Sequence, residues 1–491
     1  MKKLIIFATF VALFASCSKW LEVAPKSQIA SDILFESDQG FKDALMGCYL
    51  LMTSKTTYGF ESTVGFVDNL AQQYYNSGTT HPYYYTMLYQ YSQSSVIRKK
   101  DSIWSTNYNV IANVNNILEN IDVKKSTLNP VNYAFIKGES LGLRAFLHFD
   151  LFRLFGYGNL AKDPTSLTKL TIPYVTKYSK QITPQITVGS FIDSLKNDLN
   201  EAAILLAPYD SITITPTQTV VPNADQFYNN RNMRFNYYAV KALQARLYLW
   251  IGDYVNAIKA ANEVITRGVG KLVTFNNGNI NDPSPINRDY TFSTEHIFGV
   301  NVQGLYNIVW PYIRQYASDG INVNYSMLYQ NGTFADNLFE IATKPQMSLS
   351  DYRYKELYNK ISTTQYLLLK FTYVTNSVYF DKMPLIKLPE MYYIMAEAYN
   401  EKGDQVSATN YLNTVRINRG IASSFNLSSL TKDGVTAEIE KEYRKEFISE
   451  GQLFYYYKRL GRTSITGTSQ AMNNTVYVLP MPDKEIQMGG R

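Results

Sequence analysis

The 491-residue sequence predicts a mainly α-helical fold, built from repeated helix pairs and carrying a large loop-rich, partly irregular insertion region. Three observations predict it: an internal repeat at helical spacing, long stretches that lack such spacing, and a length beyond one compact core. The repeat has no gap. Residues 245–265 align with 396–416, with Ala245/Ala396, Tyr248/Tyr399, Gly252/Gly403, Asp253/Asp404, Val255/Val406, Ala257/Ala408, Asn262/Asn413 and Val264/Val415 identical. In each copy an apolar stripe (Val240, Leu243, Leu247; Met391, Ile394, Met395, Ala398) reaches a Gly-Asp pair. A second stripe follows (Ala257, Ala261, Val264; Ala408, Leu412, Val415). The glycine supplies a left-handed cap that ends one helix, and the aspartate caps the start of the next. Small alanines let the two helices approach closely, as in tetratricopeptide-like hairpins. Such units bury their faces only against neighbours, so further pairs are expected, with candidates at 104–121, 133–155 and 191–206.

Residues 56–95, 160–187, 210–232 and 270–385 have a different character, rich in Tyr, Asn, Thr, Ser, Gly and Pro. They read as loops and short strands. Loops this long within a folded chain usually carry function, so ligand binding is expected there rather than on the repeat helices. A single core stops growing near roughly 250–300 residues, which also favours a scaffold with an insertion.

The first residues set the compartment. Lys2 and Lys3 precede the apolar run Leu4 to Ala15, which falls short of the about 20 residues needed to span a bilayer. Residues 1–16 therefore read as a secretion signal. Ala15 and Ser16 stand before Cys17 in a run similar to a bacterial lipobox, which makes Cys17 the expected site of lipid attachment and 17–30 a tether. The rest divides into an N-terminal region, 31–270, and a C-terminal region, 271–491.

Composition excludes several classes. The formal charge of +6 includes Lys2 and Lys3 and is spread without a basic run, so nucleic acid has no support. With Cys17 committed to lipid, only Cys48 remains; it lies in an amphipathic stretch with Phe41, Ala44 and Leu45 and reads as a buried thiol. Gly138-Glu139-Ser140-Leu141-Gly142 spells the nucleophile elbow of hydrolases, but Leu143, Phe146, Leu147, Leu151 and Leu154 continue a helix through it, where an elbow needs a sharp turn. His81, His148 and His296 are far apart, with no zinc spacing, and His148 reads as a packed helix residue. Glu442, Glu446 and Glu450 recur every four residues; with Lys441, Arg444 and Lys445 interleaved they read as a charged helix face rather than catalytic carboxylates. Residues 276–282 lack the spacing of a calcium loop, so calcium is an unsupported possibility. No catalytic residue, metal or cofactor is expected.

Tyrosine is over-used, at 41 residues against 25 Phe and 4 Trp. An aromatic platform flanked by amides suits a sugar, whose apolar face stacks on a ring while amides and charges meet its hydroxyls. Two clusters qualify. One holds Tyr74, Tyr75, Tyr83, Tyr84, Tyr85, Tyr89 and Tyr91 with Asp68, Asn69, Gln72, Gln73 and Asn76; the other holds Tyr306, Trp310, Tyr312 and Tyr316 with Asn301, Gln303 and Arg314. Trp310 is the one tryptophan outside a motif helix and away from the anchor.

Several motifs, in order, resemble the SusD/RagB family of outer-membrane nutrient-uptake lipoproteins. They are Trp104, Tyr108, Ile111, Asn115 and Leu118; Lys137 to Glu139 through Arg144 to Gly156; Ile172 to Thr176; Lys387 to Met391 with Ala396 to Tyr399; Glu442, Arg444, Lys445, Glu446, Phe447, Glu450, Gly451, Phe454, Lys458, Arg459 and Gly461; and Leu479 to Pro482. Leu453, Tyr456 and Lys387 depart from residues common in the family, at positions that look structural. The resemblance implies four tetratricopeptide-like units and a non-catalytic lid over a SusC-like TonB-dependent transporter. That lid would face the cell exterior and capture an oligosaccharide or polysaccharide. Two alternatives stay open: a lid for oligopeptides, and a repeat scaffold that binds only protein.

Overall fold

The computed structural model describes residues 31–490 apart from 77, 80, 214–222, 224, 276–278, 314–327, 373 and 375–376. Cys17, Arg314 and Tyr316, together with 276–278 of the weighed calcium segment, lie outside the described residues. The scaffold is a run of helix pairs. Its first pair is α1 (Asp38–Met52) with α2 (Ser94–Ile121), its second α3 (Pro130–Phe155) with α4 (Val188–Leu206). The third is α5 (Tyr237–Trp250) with α6 (Tyr254–Glu263), the fourth α8 (Leu388–Glu401) with α9 (Gln405–Ile417), and α7 (Leu305–Ile313) lies between them in the chain. After them come α10 (Lys432–Glu446) and α11 (Leu453–Leu460), then two short helices, Asn474–Tyr477 and Asp483–Gly489. The two repeat copies are in contact, with α6 packed on α8.

Local chemistry sets these boundaries. Gly252 and Gly403 sit at φ +77° and +86°, the left-handed region where a Cβ is disfavoured. The aspartates after them act as N-caps: Asp253 accepts from the Asn256 amide at 3.1 Å and Asp404 from the Ser407 amide at 2.9 Å. Helix α3 opens with Pro130 in its first turn and Asn129 as cap, and is buried over almost all of its remaining length. The hydrolase-like motif lies inside this helix. A Cβ on Gly142 would fall 2.3 Å from Phe235, so the glycine serves close packing. Gly142→Ala should lower stability by about 1–3 kcal/mol, read from urea unfolding.

Among its described residues, stretch 56–95 contains turns and two short helices, Phe66–Leu70 and Tyr84–Met87, rather than strands, and much of it is buried. Segment 270–385 does carry strands. There, β1 (His296–Asn301) pairs antiparallel with β5 (Lys382–Lys387), and β4 (Gln365–Leu368) lies between β2 (Tyr329–Gln330) and β3 (Tyr358–Ser362).

The carboxylates read as a charged helix face are instead interior. Glu442, Glu446 and Glu450 are at most 2% exposed, and α10 ends at Glu446. Their partners come from elsewhere in the chain: Arg353 reaches Glu442 at 2.8 Å, Arg419 and Lys387 reach Glu446 at 2.9 and 2.7 Å, and Lys370 reaches Glu450 at 2.5 Å. Acids this deep are tolerated only when paired. Lys387 thus belongs to an internal ion cluster, and Leu453 and Tyr456 are buried on α11, as structural positions should be. A second buried pair, Arg246 on α5 with both oxygens of Glu390 on α8, joins the third and fourth helix pairs at 2.6 Å.

Core filling explains much of the tyrosine excess. Tyr49 donates to Glu139, Tyr58 to Asp150 and Tyr174 to Asp198, each ring buried and each hydroxyl satisfied. His148 is packed as expected, its Nε2 accepting from the Val175 amide at 2.9 Å and its ring stacked on Tyr174; burial lowers it to about 3. Cys48 is likewise buried, which pushes its thiol up to about 12.

Candidate functional site

Most of the polar half of the first tyrosine cluster is interior: Asp68, Asn69, Gln72 and Gln73 are buried, and Asn76 is half-buried. Asp68 is fully buried and accepts the Ser449 and Gly451 amides, the latter at 3.0 Å. Burial raises its carboxyl to about 8, against the lowering effect of those two amides. Asn69 donates to the Gly65 carbonyl at 2.7 Å, Gln72 to the Met87 carbonyl at 2.8 Å, and the Tyr74 hydroxyl lies 2.7 Å from that of Ser449. These four side chains are therefore corrected from ligand contacts to internal ones: Asp68 and Tyr74 clamp their segment onto 449–451, while Asn69 and Gln72 hold the backbone of 65–87. Tyr89 and Tyr91 are buried too, donating to the carbonyls of Leu70 and Val476.

One ring of that cluster, Tyr83, meets Tyr312 of the second one. Helix α7 is aimed by Asp381, whose carboxylate accepts the Gly304 and Leu305 amides at 3.0 and 2.9 Å, as an acid at a helix N-terminus does. At its far end Tyr312, half-buried, lies 4.5 Å from Phe60 and 6.4 Å from Tyr83 between ring centroids. One turn back Tyr306 and Trp310 pack ring to ring at 4.9 Å, both half-buried. Tyr83 is held from beneath by Glu61, its hydroxyl donating to the two carboxylate oxygens at 3.1 and 3.0 Å. The exposed Lys55 places its amine 5.1 Å from the Tyr312 ring centre and donates to that hydroxyl at 3.2 Å. Lys99 stands 4.9 Å from the ring centre of Tyr83.

The remaining rings of the first cluster form pairs of their own: the exposed Tyr75 beside Tyr329 at 5.4 Å, and Tyr84 edge-on to Tyr85 at 5.1 Å. Lys55, Phe60, Lys99 and Tyr329 were missed by sequence reasoning. A count of aromatic residues would have flagged Phe60 at the head of the 56–95 stretch; its pairing with Tyr312 is a tertiary fact with no local signal.

Asn301 goes elsewhere. It lines a cavity of about 470 Å³ together with Gln39, Met46, Leu50, Phe227 and Met233. Three of the four charged residues lining that cavity wall are already ion-paired, Lys42 with Asp225 at 2.6 Å and Arg234 with Glu139 at 3.0 Å, and its rings Tyr49 and Phe227 are buried. A platform of partly exposed rings is present at Tyr312 and absent there, which makes the Tyr312 face the stronger candidate for a sugar.

Comparison with known proteins agrees with this architecture. A family model described as starch-binding and associating with the outer membrane matches residues 19–249, and the SusD family model matches 245–485. The chain belongs to the SusD/RagB family. A SusD-like protein of Formosa agariphila is 22% identical, the alignment covering 94% of this chain and 90% of that one. Among solved structures, a SusD superfamily protein from Bacteroides thetaiotaomicron has TM-score 0.67 at 24% identity and covers 92% of this chain and 98% of its own. A SusD-like carbohydrate binding protein from Bacteroides vulgatus has TM-score 0.67 at 18% identity, covering 92% and 96%. At these identities the likeness to solved structures establishes the SusD fold, with its tetratricopeptide-like helix pairs.

Proposed function

We propose that this SusD-family chain is a non-catalytic surface lipoprotein that binds an oligosaccharide at the Tyr312 face and passes it to a TonB-dependent outer-membrane transporter. The observation that carries the reading is the half-exposed ring of Tyr312 at the end of α7, braced from behind by Phe60 and by Tyr83, which Glu61 holds; Tyr306 and Trp310 add a second half-exposed ring pair on the same helix. A pyranose stacks on such rings, and rigid bracing reduces the ordering cost of binding. The family descriptions support outer-membrane association and a carbohydrate ligand. Anchoring through Cys17 would hold the site above the transporter, where a high effective concentration makes weak binding useful.

Two experiments test this. Titration of the protein with a panel of glycans, and peptides as the competing class, should find one glycan class, and Trp310→Ala should weaken its binding by about tenfold without altering folding. Unchanged affinity would remove Trp310 from the site. Cells grown with labelled palmitate should incorporate label into the protein and not into Cys17→Ala; label in both would remove the anchor.

A further inference from the structure

We propose that the Tyr312 face selects an anionic oligosaccharide, whose carboxylate or sulfate groups are met by Lys55 and Lys99. The inference rests on the glycan-binding reading above. Cations in this protein are commonly matched by acids: Arg144 by Asp198, Arg231 by Asp210, Arg246 by Glu390, Arg419 by Glu295. Lys55 and Lys99 form no ion pair among the described residues, and both flank the aromatic face.

Their donors are only partly used. An ammonium has three N–H donors. Lys55 gives one to the Tyr312 hydroxyl, and Lys99 gives two, to the carbonyls of Pro82 at 3.2 Å and Ser95 at 3.4 Å. Contact with a ring face holds each amine in place without neutralising its charge. The carboxylate closest to hand is Glu61, which is turned inward: it is 8% exposed and accepts from the Tyr83 hydroxyl and, at 3.1 Å, from the Phe66 amide. Burial raises its carboxyl above the ordinary range, which weakens it further as a counter-charge. Burial lowers the Lys99 amine, Glu61 partly offsets this, and the like charges of Arg98 and Lys55 lower it again. A stacking surface with an unneutralised cationic rim fits a sugar chain that carries its own negative charge, and a neutral chain would leave the rim unmatched.

The test is titration with two matched pairs: a uronate-bearing oligosaccharide against its carboxyl-reduced form, and a sulfated one against its desulfated form. At about 50 mM NaCl the anionic member of at least one pair should bind about tenfold tighter, as one or two charge-assisted hydrogen bonds would give. That preference should shrink at about 500 mM NaCl. It should disappear in Lys55→Gln/Lys99→Gln and return in Lys55→Arg/Lys99→Arg, with thermal unfolding showing each variant folded. A preference confined to the uronate or to the sulfate pair names the group. Equal affinity within both pairs overturns the anionic inference and leaves the glycan reading standing. Binding of no glycan, charged or neutral, overturns that reading and this one with it.

Discussion

Glu446→Ala is expected to lower folding stability by about 3–5 kcal/mol, because it removes the shared counter-charge of three buried cations. Glu446 receives Arg419 at 3.0 and 2.9 Å, Lys387 at 2.7 Å and Arg353 at 3.3 Å, and all four residues are at most 2% exposed. Burial alone would raise its carboxyl; Arg419 and Lys387 overcome that and hold it well below the ordinary range. Without it Arg419 keeps Glu295, but Lys387 must share Glu450 with Lys370, which leaves surplus positive charge in a buried cluster. Urea unfolding measures the effect, and Glu446→Gln should show most of it, since it keeps the volume and removes the charge. A loss under about 1 kcal/mol, the scale of an exposed pair, would mean that the cluster is solvated.

The same cluster gives a pH dependence with a definite sign. Burial pushes Glu442 upward, but Arg353, Lys445 and Arg416 bring it to about 2, below its ordinary 4.5. A carboxyl depressed in the folded state stabilises the fold above its unfolded value, and that contribution is lost as pH falls through the folded one. Stability should therefore fall between about pH 4.5 and pH 2, and the fall should be smaller in Glu442→Gln.

Tyr312→Ala is expected to weaken glycan binding by about 30-fold, near 2 kcal/mol, the scale of a central aromatic anchor. Tyr312 contacts Phe60, Tyr83 and Lys55 at once, so its loss removes the stacking surface and releases the lysine that its hydroxyl holds. The residue is half-buried at the end of α7, so the fold should survive. Titration with the best glycan of the panel reads the effect, and circular dichroism checks the fold. Affinity within about twofold of the parent would place the ligand elsewhere.

The helix pairs were legible in the sequence because their signals are local: apolar residues at helical spacing, a glycine that must adopt positive φ, and an aspartate that caps the next turn. Asp68, Asn69 and Gln72 misled for the opposite reason. Polar residues in a loop-like stretch usually face water, but Asp68 meets amides 381 and 383 residues further along the chain. Glu442 and Glu446 misled in the same way, since the cations that permit their burial come largely from 353–419. At the candidate site the ring types were legible; α7 was not, because it is a short helix with Pro311 inside a stretch that reads as loops and short strands, and Lys55 and Phe60 were not, because only the folded chain brings residue 60 to residue 312.

A crystal structure of the protein bound to the best glycan of the panel tests the central claim most directly. The account predicts a sugar ring stacked on Tyr312 or Trp310, with a charged or hydroxyl group beside Lys55. A sugar seated instead in the cavity lined by Met46, Leu50 and Asn301, with the Tyr312 face empty, would contradict it.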